Sequence, residues 1–246
     1  MQAGIVGFRY AFPSTLHSDA RSAISGVERS RKPCFAQRVF QFYDASQGNF
    51  VQFISGKESM ITIVSGLPRS GTSLMMQMLA AGGLTVLSDG ERAADADNPR
   101  GYLEWERIKQ LPKDPGCIAE AEGKVVKVIS QLLLTLPEGH EYRVIFMQRP
   151  LPEVMKSQDE MLRRRGTFDA SVNTAPIEQA FERHLIEINR WLESRAETQV
   201  CRIHYHRILR EPRAASETVR EFLGVALDVD AMAREVDQSL YRNRMK

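Results

Sequence analysis

The chain has 246 residues, of which 43% are hydrophobic and 26% are charged. This balance is typical of a folded globular protein and lies well away from disordered or membrane-spanning compositions. Lys and Arg number 33 against 31 for Asp and Glu, so the net charge of +2 provides no general attraction to nucleic acid. We therefore expect any anion site to be local.

The cysteines argue against a disulfide framework and against a cysteine-type zinc site. Cys34, Cys117 and Cys201 are odd in number, lie far apart and include no C-x-x-C pair. No apolar run approaches the roughly 18 residues that a membrane span needs. Residues 1–30 also lack the continuous apolar stretch of a secretory signal. These features favour a protein of the reducing cytoplasm.

The first 59 residues differ in texture from the rest. They mix Ser, Arg, Gln and aromatic residues without a sustained helical or alternating period. At Met60 the pattern changes at once to a strand followed by a loop. We predict that residues 1–59 are a poorly structured extension from a mis-assigned start, and that Met60 is the natural start of a domain over residues 60–246. The alternative is an extra strand or helix packed on the edge of the domain.

From Met60 onward, short β-branched runs alternate with segments of helical spacing. The predicted strands cover residues 61–65, 125–129, 144–148 and 200–205, and the predicted helices cover residues 74–81, 151–165, 177–198 and 212–223. Strands buried on both faces read as continuous apolar runs of this kind. The alternation predicts a central parallel sheet flanked by helices, with ligands at the carboxyl ends of the strands.

The segment GLPRSGTS, residues 66–73, follows the first of these strands and opens a helix. Its glycines have P-loop spacing, but Thr72 stands where a nucleotide-triphosphate loop has lysine. Gly66 and Gly71 allow a sharp turn, and the N–H groups with the helix N-terminus form a cradle for an anion. Arg69 supplies a planar cation inside the loop. The segment predicts an α/β fold of the three-layer P-loop type.

A second absence concerns magnesium. Kinases and ATPases hold Mg²⁺ partly through an Asp at the end of a neighbouring apolar strand. The corresponding strand here, VIFMQR, ends in Gln148 and Arg149. A positive charge at this position repels a metal ion and attracts a further phosphate. The pattern therefore favours an anion-rich nucleotide that is used without metal.

The loop GLPRSGTS resembles the 5′-phosphosulfate loop of sulfotransferases, which use 3′-phosphoadenosine 5′-phosphosulfate (PAPS). A second family signature is a strand-ending Arg followed eight residues later by Ser, and RVIFMQRPLPEVMKS supplies Arg149 and Ser157 at that spacing. The resemblance implies that these two residues bind the 3′-phosphate and that PAPS is the co-substrate, with no metal. The donor-binding residues that it implies in the loop are Gly66, Pro68, Arg69, Ser70, Gly71, Thr72 and Ser73.

Weaker matches extend the resemblance over most of residues 60–246. The block around VCRIHYHRILREP is similar to a late strand, loop and helix of the family, which implies an adenine contact for Tyr205. The C-terminal SLYRNR resembles the tail of bacterial members, so Arg242 and Arg244 add charge near the 3′-phosphate. The strand VVKVIS resembles the family strand whose lysine assists catalysis, which maps onto Lys127. The alternative for that residue is a lysine at a strand edge.

The usual base of cytosolic sulfotransferases is missing, because Ile129 stands where they have a histidine. Other members use a glutamate, and the stretch after the first helix offers Asp89, Glu91 and Glu104. Glu91 lies near the position of the glutamate in those relatives. Glu104 stands between leucine and tryptophan, where desolvation is expected to raise its pKa toward a useful range. We expect Glu91 or Glu104 to be the base, although each has an alternative interpretation as a surface carboxylate.

The resemblance implies in-line transfer of a sulfuryl group to a hydroxyl or amine. The carboxylate takes the proton of the acceptor, while Arg69, Lys127 and the loop N–H groups stabilise the developing charge. A small molecule, a carbohydrate and a peptide remain open as acceptors. A magnesium-dependent small-molecule kinase and a non-catalytic nucleotide-binding module are the alternative functions.

Two histidines raise the question of a metal. His204 and His206 alternate along a predicted strand, but the sequence offers no third ligand beside them. We interpret them as strand-end or acceptor-site residues and expect no metal site.

Overall fold

The computed structural model describes residues 39–44, 49–54, 60–95 and 98–237, the first two ranges by their backbone. The chain divides into two compact units, Met1–Gly56 and Lys57–Lys246.

The first unit contains two paired strands. Strand β1 (Val39–Asp44) runs antiparallel to strand β2 (Asn49–Ile54), with Val39 opposite Ile54 and Asp44 opposite Asn49. The expectations that residues 1–59 are a poorly structured extension and that Met60 is the natural start stay predictions.

The second unit is built on a parallel sheet. Its strands are β3 (Ile61–Gly66), β4 (Val125–Lys127), β5 (Tyr142–Gln148) and β6 (Thr198–His204). They run parallel in the order β4-β3-β5-β6, so β3 lies inside the sheet and is buried along its whole length. The predicted α/β fold with a central parallel sheet is confirmed.

Helices connect these strands. They are α1 (Thr72–Ala81), α2 (Ser130–Leu133), α3 (Leu151–Arg164), α4 (Ala175–Ser194), α5 (Tyr205–Arg210), α6 (Pro212–Leu223) and α7 (Val229–Arg234), with 3-10 segments at Glu106–Gln110 and Pro115–Ala121. Proline stands in the first turn of α3, α4 and α6, where its missing N–H has no cost. In the described part of the chain, no helix is both long and apolar enough to cross a membrane.

The sheet carries a hydrophobic core on each face. On one face it packs against α2, α4 and the 3-10 segments, through Ile61, Ile63, Val126, Val144, Phe146, Leu133, Ile188 and Leu192. On the other face it packs against α1, α5, α6 and α7, through Val64, Ile145, Met147, Met75, Met76, Ile208, Val219 and Met232. Alternate residues of each strand therefore pack into the cores on opposite faces of the sheet. The predicted flanking of the sheet by helices is confirmed.

Several predicted boundaries differ from the structure, by one to four residues. Strand β4 ends at Lys127, because Ile129 already leads into α2 with an extended backbone. Helix α4 ends at Ser194, and the β-branched Thr198 begins strand β6 instead of closing the helix. Tyr205 is the first residue of α5 and not the last residue of a strand. Each difference lies at the end of an element, where chain direction depends on distant contacts.

The carboxyl ends of the four strands bring several of the predicted site residues to one edge of the sheet. The GLPRSGTS loop follows β3, Lys127 ends β4, Arg149 follows β5 and Tyr205 follows β6. Parallel sheets bind ligands at this edge.

Candidate functional site

The loop between β3 and α1 requires glycine at both of its glycine positions. Gly66 has φ of 150° and Gly71 has φ of 98°. A Cβ on Gly66 would lie 2.6 Å from Ser70 Oγ and 2.8 Å from the carbonyl oxygen of Met147. A Cβ on Gly71 would lie 2.5 Å from Cδ2 of the Tyr205 ring. The backbone of the loop therefore packs directly against the neighbouring strand and against α5.

The start of α1 is open to an anion. Gly71 is its N-cap, and no side chain caps the helix or places an acid in its first turn, all residues of which are described. The hydroxyls of Ser65 and Ser70 are buried, yet within the described residues neither has a hydrogen-bond partner. Buried hydroxyls normally have a partner. These orphaned groups fit a polar ligand seated at the loop.

Arg69 joins the loop to α3. Its Nε donates a hydrogen bond to Ser157 Oγ at 3.0 Å, across 88 residues of sequence. Ser157 is buried on α3, and Arg69 has a left-handed backbone with φ of 67°. The structure therefore brings together one residue from each of the two motifs that resemble the sulfotransferase signatures.

Arg149 lies beneath the same loop in a network of buried contacts. Its Nη1 donates to the carbonyl oxygen of Arg69 at 3.0 Å, and its Nε donates to Glu153 Oε2, also at 3.0 Å. His206 Nε2 lies 2.9 Å from that same carboxylate oxygen. The guanidinium carbon lies 4.7 Å from the centre of the Tyr205 ring. Sequence reasoning missed Glu153, because Arg149 precedes α3 and Glu153 lies in the first turn of that helix, so no helical periodicity marked the pair.

Tyr205 covers Gly71 and stacks with Arg149. Burial raises the pKa of its phenol, against the opposing influence of Arg149 and Arg69. The hydroxyl therefore stays protonated near neutral pH. A neutral ring at this place offers a flat apolar face beside the two arginines.

Lys127 is a buried lysine at the end of β4, with 6% of its side chain exposed. Its Nζ donates to Ser73 Oγ at 3.0 Å, to the Tyr102 carbonyl oxygen at 3.2 Å and to Glu104 Oε1 at 2.9 Å. Burial lowers the pKa of Lys127, and the charge of Glu104 opposes that effect. The lysine thus connects the first turn of α1 to the segment that carries Glu104.

Glu104 is held by two cations. Besides Lys127, Arg92 donates from Nη1 to both carboxylate oxygens, at 3.1 and 3.0 Å. Burial acts to raise the pKa of Glu104, but Lys127 and Arg92 together hold that pKa below its ordinary value. The expectation of a raised pKa is therefore wrong, because the sequence did not show the second cation. Nothing in the local pattern marked Arg92 as a partner.

Glu91 has a different environment. Its side chain is exposed and makes no hydrogen bond or ion pair to any described residue, and its backbone N–H donates to Asp89 Oδ1 at 3.1 Å. Asp89 Oδ2 accepts a hydrogen bond from the Glu106 backbone N–H at 2.6 Å, a bond that lowers the pKa of Asp89. Asp89 therefore shapes the backbone of this segment. Glu104, unlike Glu91, contacts Lys127.

The remaining implied donor residues divide into two groups. Pro68 is exposed in the loop, and Thr72 is the first residue of α1. Arg242 and Arg244 lie outside the described residues.

The two histidines are not on one strand. His204 ends β6 and His206 belongs to α5, where it contacts Glu153. Both line an open cleft of about 410 Å³ at the ends of β5 and β6, together with Arg207 and Arg210. No group of three or more His, Cys, Asp or Glu side chains arranged to hold a metal ion occurs in the part of the chain that the structure describes.

Comparison with known proteins gives likeness at the level of structure. No family model matches the chain, and none of the curated proteins does. A sulfotransferase domain from the curacin biosynthetic pathway is 13% identical, with a TM-score of 0.44, over 75% of this chain and 91% of that one. Mouse sulfotransferase SULT7A1, complexed with PAP, is 14% identical, with a TM-score of 0.42, over 80% and 72%. Because both TM-scores are below 0.5, the assignment of the fold class rests on the strands and helices described above.

Proposed function

We propose that the chain is a sulfotransferase that moves a sulfuryl group from PAPS to a hydroxyl or amine acceptor by in-line displacement. The observation that supports it most is the convergence of Arg69, Arg149 and Ser157 at one glycine-rich loop. Arg69 bonds to Ser157, and Arg149 bonds to the Arg69 carbonyl oxygen. A nucleotide with phosphate groups at both its 5′ and 3′ positions matches two basic side chains held next to one anion cradle.

The chain's own groups fit such a donor. The cradle is shaped by glycines that leave no room for a Cβ, and it contains two buried hydroxyls without a partner in the described residues. In this proposal Arg69 and Ser73 bind the 5′-phosphosulfate, Arg149 and Ser157 bind the 3′-phosphate, and Tyr205 contacts the adenine. The donor supplies an activated sulfuryl group on a phosphate leaving group.

Glu104 is the proposed base. Its contact with Lys127, which in turn contacts Ser73 of the loop helix, supports it over the exposed Glu91. An ionised carboxylate accepts the proton of the acceptor as the new bond forms. Lys127 and Arg69 stabilise the negative charge that develops on the leaving phosphate.

Fixed cations take the place that a metal has in kinases. Strand β5 ends in Gln148 and is followed by Arg149, where a magnesium-dependent kinase has an acid. We therefore propose a donor site without metal. The contact between Glu104 and Lys127 also favours an enzyme over a non-catalytic nucleotide-binding module, because such a module has no need of a carboxylate beside its anion loop.

Calorimetric titration of 3′-phosphoadenosine 5′-phosphate (PAP) without magnesium tests donor binding. We expect wild type to bind and Arg149→Ala to bind about 2 kcal/mol more weakly, which is the loss of a charge-assisted contact. Arg213→Ala, which removes an exposed arginine on α6, is the control and should bind as wild type does. If the chain binds ATP in the presence of Mg²⁺ but does not bind PAP, the magnesium-dependent kinase would replace this proposal.

Only 6% of the Arg149 side chain is exposed, so its substitution needs a check on folding by circular dichroism. Ser157→Ala removes one hydroxyl and leaves the Arg149 contacts in place, and it should weaken PAP binding without changing the spectrum. Release of PAP from PAPS in the presence of EDTA, with phenol, carbohydrate and peptide acceptors, then tests transfer itself. No acceptor-dependent release with any of them, despite PAP binding, would support the non-catalytic module.

A further inference from the structure

We propose that Arg92 is a positioning residue that, together with Lys127, orients the carboxylate of Glu104 and interacts with its negative charge. The assignment of Glu104 as the base rests on the proposed function. The electrostatic relation between Arg92 and Glu104 does not, because it can be measured without activity.

The two cations reach Glu104 from different elements. Lys127 is the last residue of β4 and bonds to Oε1, whereas Arg92 lies in the segment between α1 and the first 3-10 segment and bonds to both oxygens. The Glu104 side chain is 18% exposed, so water competes only partly with these contacts. A carboxylate held at both oxygens has little freedom to rotate. Its orientation relative to Lys127 is therefore fixed by the pair of cations.

Arg92 is itself held in place. Its guanidinium carbon lies 3.4 Å from the centre of the Tyr102 ring, and that ring is buried. The Tyr102 hydroxyl donates to Asp95 at 2.7 and 2.9 Å, and Asp95 pairs with Arg165 at 3.4 Å. Arg165 closes α3, the helix that carries Ser157. The network thus runs from the proposed base to the helix of the proposed donor site.

The direction of the electrostatic effect follows from the groups that face Glu104. These are Lys127 from β4, and Arg92 with the Tyr102 ring beneath it from the segment between α1 and the first 3-10 segment. Both cations favour the charged carboxylate. Removing Arg92 leaves Lys127 as the remaining cation, so the pKa of Glu104 rises toward its ordinary value. The acid side of an activity profile that needs ionised Glu104 then moves to higher pH.

Carbon-13 NMR titration of the Glu104 carboxyl group in the full chain measures this directly, with Glu104→Gln to assign the signal. We expect Arg92→Met to raise the titration midpoint by about 1 pH unit. Arg100→Met is a matched control, because Arg100 and Arg92 are each 39% exposed and Arg100 pairs with Glu235 instead. Its midpoint should equal that of wild type. An unchanged midpoint in a folded Arg92→Met protein would overturn the proposal.

Arg92→Lys is the second variant. It keeps the positive charge but loses the planar contact with Tyr102, so we expect a midpoint between those of wild type and Arg92→Met. If Arg92→Lys has the same titration midpoint as Arg92→Met, the positive charge at position 92 does not determine the pKa of Glu104, and the proposal is contradicted.

The catalytic readout separates this role from a structural one. The acid limb of kcat/KM in Arg92→Met should move with the NMR midpoint, while the PAP dissociation constant stays within about twofold of wild type, since Arg92 makes no contact with the loop. A loss of kcat that is equal at every pH would indicate structural damage and count against the proposal. If wild type transfers no sulfuryl group, the proposed function fails, and the NMR titration still decides the role of Arg92.

Discussion

Two regions of the site are built in different ways. The proposed donor region, which is the loop at residues 66–73 with Arg149, Ser157 and Tyr205, is made of glycines and of mostly buried or half-buried side chains that belong to helices or follow strands. The segment that carries the proposed base, residues 88–104, is here named the acceptor segment; its described part has no regular helix or strand, and its shape comes from ion pairs and from hydrogen bonds between side chains and backbone. Packing therefore determines the conformation of the donor region, and interactions between charged groups determine that of the acceptor segment.

This difference suggests how the proposed functions divide. A packed cradle accepts one shape of ligand, because any shift of its backbone meets the neighbouring strand or ring. A segment held by partly exposed ion pairs needs less free energy to rearrange, since each such pair contributes little stability. We expect donor recognition to be rigid and acceptor recognition to be adaptable.

The largest combined effect, on stability and PAP affinity together, is expected from breaking the donor region with Gly71→Ala. The new methyl group meets the Tyr205 ring and the backbone keeps a positive φ, so we expect a loss of about 3 kcal/mol in the free energy of unfolding. PAP affinity should fall roughly 100-fold through loss of the cradle. Denaturant unfolding and calorimetry measure the two effects.

Gly83→Ala is the matched control for that substitution. Gly83 has φ of 100°, close to the 98° of Gly71, but nothing lies within 4 Å of its ideal Cβ. It should cost about 1 kcal/mol for the backbone alone and leave PAP binding unchanged. Equal losses in the two variants would show that the contact with the ring is unimportant.

The next effect tests the acceptor segment through its two glutamates. Glu104→Gln should lower kcat by a factor of about 10² to 10⁴, the usual contribution of a general base, with little change in PAP affinity. Glu91→Gln should change kcat by less than about twofold, because its side chain is exposed and makes no hydrogen bond or ion pair to a described residue. Steady-state kinetics with a saturating acceptor measures both. If the Glu91 variant is the impaired one, the proposed base is wrong.

A smaller effect sharpens the donor region. Ser157→Ala removes the acceptor of the Arg69 hydrogen bond, and we expect PAP affinity to fall by about 1 kcal/mol, or roughly fivefold. Ser194→Ala is the control, because the Ser194 hydroxyl bonds only to a carbonyl oxygen near the end of α4 among the described residues. A loss of affinity in the control that matches the loss in Ser157→Ala would argue against a specific contact.

The smallest effect concerns pH. The pKa of Glu104 is lower in the folded chain than the ordinary value of 4.5, so its charge stabilises the fold above that value, and this contribution is lost as pH falls through the folded pKa. The difference in unfolding free energy between wild type and Glu104→Gln should therefore shrink by up to about 1 kcal/mol, the range of partly exposed pairs, on acidification. Chemical denaturation between neutral and acid pH measures it. A difference that is constant with pH would contradict the lowered pKa.

The sheet and the loop were predictable because their signals are local. The run ITIVSG, the two glycines of the loop and the spacing from Arg149 to Ser157 each lie within a short stretch, and each determines an element by its period or by its backbone needs. The meeting of Arg69 with Ser157 agrees with motifs that follow neighbouring parallel strands ending at one edge, whereas the order β4-β3-β5-β6 has no local signal and was not predicted.

The charge network was not predictable for a different physical reason. Arg92 reaches Glu104 across 12 residues that contain no periodic pattern, so no local rule determines which side chains of the segment meet. The pKa of Glu104 depends on that contact. The expectation of a raised pKa, which considered only the apolar neighbours, is therefore wrong. The sequence also offers Asp89 beside the two glutamates, and in the structure Asp89 accepts a backbone hydrogen bond that shapes the segment.

The left-handed backbone of Arg69 has a consequence for engineering. A residue with a side chain costs roughly 1 kcal/mol in that conformation, which glycine adopts freely. Glycine would relax the turn and at the same time remove the cation from the middle of the cradle. Screening this chain for heat resistance alone would therefore tend to select against the arginine, so such a screen needs a ligand present to keep the loop functional.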